Sequence, residues 1–100
     1  DYTDAANNLA WTLATSHEPR VRDPLDAIRV IEASALESGD ASLLDTLAAA
    51  YASAGRYEAA IAAANRAAAA SRDPSLERNI RARLALYREG RPYIEPIPQP

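Results

Sequence analysis

Residues 41–74, ASLLDTLAAAYASAGRYEAAIAAANRAAAASRDP, hold two helical periods with one glycine between them. Leu44, Leu47, Ala48 and Tyr51 recur on one helical face, and Tyr57, Ala60, Ile61, Ala64 and Ala67 recur on another. Gly55 separates the two runs and suits the left-handed turn that ends a helix. Two apolar faces joined by so short a turn bury themselves against each other, as a helical hairpin. The chain has 24 alanines and neither Met nor Phe, so close approach of small-faced helices has to build its core.

The spacing resembles the W-x2-L-G-x2-Y…A-x3-F…A pattern of the tetratricopeptide repeat family. Leu47, Tyr51, Gly55, Tyr57, Ala60 and Ala67 match it, while Leu44 stands for the Trp, Ala48 for the Gly and Ala64 for the Phe. A looser copy lies upstream: Leu9, Ala10 and Leu13 align with Leu47, Ala48 and Tyr51 at an offset of 38. Ala27 and Ile28 align with Ala60 and Ile61 at an offset of 33, which puts five extra residues into the first turn, Ser16–Asp23 (SHEPRVRD). The resemblance implies an all-α fold of antiparallel helical hairpins, a tetratricopeptide-like α-solenoid of about five helices with an extended, Pro-rich C-terminal tail. Its parts are a repeat over 3–40, a repeat over 41–74, a capping helix over 74–89 and a tail over 90–100. The helical repeat domain as a whole covers residues 1–89.

Punctuation along the chain agrees with that division. Gly39, Gly55 and Gly90 fall where helices should stop, and Asp23-Pro24 and Asp73-Pro74 each offer an N-cap followed by proline at the first helical position. Asp40 caps the helix between them. The expected helices are 4–16, 24–38, 41–54, 57–71 and 74–89.

The last helix carries Leu76, Ile80, Leu84 and Tyr87 on one face, as a terminal cap requires, with Arg78, Arg81 and Arg88 facing elsewhere. The first hairpin has no such cap, so its open edge awaits upstream repeats or a second chain. Beyond Gly90, RPYIEPIPQP is broken by four prolines that forbid helix. Tyr93, Ile94 and Ile97 are its anchors, docking either on the chain's own terminal helix or in a neighbouring molecule. The stretch IRARLALYREGRPY, with LAWTLAT upstream, is similar to the carboxyl end of bacterial tetratricopeptide proteins. Those are multi-repeat chains, some tied to the cell envelope, and the likeness favours a cell-envelope or extracellular setting over the cytoplasm. A chain that begins at Asp1 reads as a processed mature protein or as a piece of a longer one.

Charge and residue types narrow the function. The net charge is −3, with no clustered basic surface for neutralising phosphates, so no nucleic-acid partner is expected. Residues 1–55 set three Arg against nine acids, whereas residues 56–100 set eight Arg against five, a distribution that reads either as ordinary solvated helix faces or as head-to-tail attraction between neighbouring repeats or chains. One His, no Cys, and glycines that stand alone leave no metal, cofactor, phosphate loop or catalytic constellation in view. No uncharged run approaches the ~20 apolar residues of a membrane span, so no membrane insertion is expected.

The family's concave side is lined by first helices, which the resemblance maps here onto Asp4, Asn7, Asn8, Trp11 and Thr15, then Asp45, Ala49, Ala52 and Ser53. That surface is mildly acidic and lacks the basic residues with which family members clasp a terminal carboxylate. Trp11 has two readings: it packs beneath the SHEPRVRD turn, or it offers an apolar face and an indole donor to a partner. The resemblance implies a noncatalytic protein-protein interaction or scaffold module that binds a protein segment through its concave face. The alternative is a self-assembling subunit, a homo-oligomeric ring or filament joined head to tail through the C-terminal helix and tail.

Overall fold

Four of the five helices begin on an aspartate whose carboxylate accepts a backbone N–H of the first turn. Asp1 takes the N–H of Asp4 at 2.9 Å, Asp23 that of Asp26 at 3.2 Å, Asp40 that of Leu43 at 3.0 Å and Asp73 that of Ser75 at 2.9 Å. Each bond satisfies a donor that the helix itself leaves free, and each carboxylate sits at the positive end of the helix dipole. The computed structural model describes residues 1–99. It runs α1 (Tyr2–Thr15), α2 (Pro24–Ser38), α3 (Ala41–Ser53), α4 (Tyr57–Ala70) and α5 (Pro74–Arg88), with no strand among the described residues. The first helix starts two residues earlier than the spacing predicts, because Asp1 serves as its cap.

Two glycines close helices by one mechanism. At the end of α3 the Gly55 N–H donates to the Ala52 carbonyl at 2.9 Å and the Arg56 N–H to Tyr51 at 2.8 Å; at the end of α5 Gly90 donates to Tyr87 and Arg91 to Leu86, each at 3.0 Å. Both pairs form a Schellman closure, which needs a left-handed residue at the glycine, and φ is +82° at Gly55 and +71° at Gly90. The α3 closure delivers the chain straight into α4, whose first residue lies two beyond Gly55. The Ser16–Asp23 turn is tied down differently: the Asp23 N–H donates to the Leu13 carbonyl at 2.7 Å, and Arg22 Nη1 donates to Ser16 O at 2.6 Å.

Each helix packs on its successor, and α1 and α5 both pack on α3, so α3 touches all four others. Every residue from Leu43 to Ala52 is buried, and only Asp45 and Thr46 are polar, which is the composition of a helix enclosed on all sides. Around it Ala10, Ala14, Ala27, Ala35, Ala60 and Ala67 are fully inaccessible, while Ile31, Leu44, Leu47, Ile80, Leu84 and Tyr87 supply the bulk. No described helix is long and apolar enough to cross a membrane.

Candidate functional site

The buried run of α3 contains one carboxylate, and that residue organises the site. Asp45 is 6% exposed, and Arg83 of α5 grips it through two bonds, Nη2 to Oδ2 at 2.7 Å and Nε to Oδ1 at 3.3 Å. Burial pushes the Asp45 carboxyl above its ordinary range, and the Arg83 charge pulls against that shift. Among the described residues this pair is the one polar side-chain link between α3 and α5. Its planar guanidinium also lies against two rings, 5.1 Å from the centre of Trp11 on α1 and 5.3 Å from that of Tyr93 in the tail. Stacking of this kind contributes about 0.5–2 kcal/mol, and an Arg that is only 14% exposed in its side chain lies toward the upper part of that range.

Residues 91–99 form neither helix nor strand, yet their middle is held in place. The Glu95 N–H donates to the Thr15 carbonyl at 2.7 Å, and the two Glu95 carboxylate oxygens accept from Trp11 Nε1 at 2.9 Å and from the Tyr93 hydroxyl at 3.2 Å. The rings of Trp11 and Tyr93 face each other at 5.9 Å with a 36° tilt. Burial, then the Glu95 charge and its hydrogen bond, raise the Tyr93 phenol above its ordinary value, so it stays protonated and keeps donating. Thr15 is fully buried, and its hydroxyl donates back to the Trp11 carbonyl at 2.7 Å within the last turn of α1, so its own carbonyl is the group that meets the tail.

Trp11, Thr15 and Asp45 are therefore brought together with the tail anchor Tyr93, and Ile94 is half-buried beside it. The indole's polar partner is the tail rather than the SHEPRVRD turn. Ile97 is 66% exposed and does not pack against the core among the described residues. Ala49 and Ala52 are buried with Asp45, so the surface expected from them is covered. Asp4 and Asn8 are exposed toward the start of α1, where Asp4 and Asn7 help line a polar cleft of about 450 Å³ with Asp40 and Ser42. Asn7 donates to Ser42 Oγ at 3.3 Å there. Ser53 is half-buried at the far end of α3.

Two participants escape a reading confined to the first two hairpins. Arg83 stands three residues after Ile80 and one before Leu84, so it is a charge set into the apolar stripe of α5. Glu95 is the one charge in the tail beyond Arg91. Arg83 was a legible signal, since a charge at a core-facing helical position implies a partner. Arg83 also brings a basic side chain to Trp11 and Asp45, where the first two hairpins offered none.

Beneath this cluster lies Tyr87, 1% exposed, whose hydroxyl has no hydrogen-bond partner among the described residues. Burial first, and then the nearby Asp45 charge, raise its phenol well above the ordinary value. A buried hydroxyl without a partner costs about 1–3 kcal/mol. Tyr87→Phe is therefore expected to raise unfolding stability by about 1 kcal/mol in urea titration. A loss of stability would show that the hydroxyl has a partner.

The described residues contain no group of three His, Asp or Glu side chains placed to hold a metal. Comparison with models of known protein families found no match, and comparisons with curated proteins and with solved structures found none either. Among the described residues the protein is all-helical, with five helices and a C-terminal segment that lies against Trp11 of α1 and Arg83 of α5.

Proposed function

We propose that this chain is a noncatalytic interaction module, a tetratricopeptide-like helical repeat that holds a protein segment in the cleft between its first and last helices. One observation carries the reading: a nonhelical segment already sits there, joined by a backbone bond from Glu95 to Thr15 and by the Trp11 indole on the Glu95 carboxylate. Trp, Tyr and Arg converge on the cleft, and these side chains dominate binding energy in protein interfaces. The packing of α1 and α5 on α3, with α2 and α4 between them in sequence, supports the solenoid arrangement.

Selecting displayed peptides on the immobilised chain tests this. Binders are expected to lose at least about tenfold in affinity on Trp11→Ala, which removes a central aromatic contact, while far-ultraviolet ellipticity is kept. Binders that ignore Trp11→Ala would move the site elsewhere.

A second reading, self-assembly, is favoured by a different surface. Tyr2 is 89% exposed and Leu9 51% exposed, and with Ala5, Ala6, Val30 and Arg29 they line an apolar cleft of about 430 Å³ on α1 and α2. Opposite charge on the two halves of the chain suits head-to-tail contact. Light scattering across concentration and salt decides it: a constant monomer mass ends the self-assembly reading.

A further inference from the structure

We infer that the Trp11–Arg83 cleft recognises a proline-flanked Tyr-x-Glu segment of a partner protein, and that residues 93–95 are a resident copy which such a segment displaces. The inference rests on the interaction-module reading above and specifies its ligand.

Each element of the pattern has a receptor. The aromatic ring lies on the guanidinium face of Arg83 at 5.3 Å and against the Trp11 ring at 5.9 Å. Two residues later the carboxylate takes the indole N–H at 2.9 Å, a charge-assisted bond that a neutral side chain would weaken. The backbone N–H of the same residue donates to the Thr15 carbonyl at 2.7 Å, which fixes the register. The two side chains lie on one side of the nonhelical segment. The Tyr93 hydroxyl bonds Glu95 within the segment at 3.2 Å, so part of the bound shape is internal to the ligand. Pro92 and Pro96 flank the pair and restrict its backbone, which lowers the ordering cost of binding.

The resident copy shares few backbone bonds with the helices. Beyond Arg91, which still bonds Leu86, Glu95 to Thr15 is the one backbone bond between tail and helices among the described residues. Pro96, Ile97, Pro98 and Gln99 are exposed. An occupant in cis lowers apparent affinity by the fraction of molecules whose cleft is filled, so release of the tail must raise it.

The test uses the full chain and its single tryptophan, whose emission reports the cleft without background. The probe is a synthetic peptide of residues 91–100, added to wild type and to a Tyr93→Ala/Glu95→Ala variant. The variant is expected to keep its ellipticity and to shift Trp11 emission to the red, and the peptide should reverse that shift. Wild type should bind the peptide at least about tenfold more weakly than the variant, because its cleft is already filled. A peptide carrying Glu95→Ala should bind neither. Equal binding to wild type and variant overturns the resident-ligand idea, and a folded variant blind to the peptide overturns the recognition pattern. If the double variant unfolds, Glu95→Gln in the full chain takes its place: tighter peptide binding than wild type supports the inference, and none overturns it. Displayed peptides that bind through Trp11 without a Tyr-x-Glu pattern would overturn this ligand while leaving the module reading intact; absence of any binder would end both.

Discussion

Replacing Asp45 by Ala is expected to cost about 3–5 kcal/mol of unfolding stability, the range seen when one partner of a buried ion pair is removed. The loss comes mainly from what remains. Arg83 has only 14% of its side chain exposed, and without Asp45 its charge would keep the two aromatic rings but no anion. For a chain of 100 residues the deficit is a large part of a total stability of about 5–15 kcal/mol. The double substitution Asp45→Leu with Arg83→Met should recover most of it, since apolar replacements of a buried pair are often neutral or stabilising. Urea titration of the two single variants and the double variant measures the coupling directly. A coupling below about 0.5 kcal/mol would mean that the pair does not tie α5 to α3. Trp11 emission should also change in Asp45→Ala, because the guanidinium between α3 and the tail would lose its anchor.

Ala49→Leu is expected to cost about 1–3 kcal/mol, through overpacking at a position with no accessible surface. On a solvent-facing concave surface, the same change would stay within about 0.5 kcal/mol of wild type. Chemical denaturation of this one variant therefore separates an enclosed α3 from an open binding face. An unchanged midpoint would return Ala49 to the surface and reopen the cleft along α3.

The helices were legible because their signals are local. A carboxylate cap and a glycine in left-handed conformation act within one turn of the residues they serve, so Asp23, Asp40, Asp73, Gly39, Gly55 and Gly90 could be placed from spacing alone. The apolar stripes of α3, α4 and α5 were equally local, being set by the helical period. The cleft was not, because its members lie on four separate stretches of chain. Trp11 and Glu95 are 84 positions apart, and Asp45 and Arg83 are 38 apart.

Ala49 and Ala52 show the same division. Their small side chains fit either an exposed helix face or the tightest contact in a core, and helical period cannot separate the two. Burial was settled by what lies on the other side, where α1 and α5 both pack on α3. The tail is the sharpest case. Prolines at 92, 96 and 98 rule out helix there from sequence alone, since proline lacks the N–H and fixes φ. Where the tail lies was decided only by tertiary structure: a buried Asp45 holds Arg83, Arg83 presents a face to Trp11 and Tyr93, and the Trp11 indole with the Thr15 carbonyl leaves one place where Glu95 satisfies both.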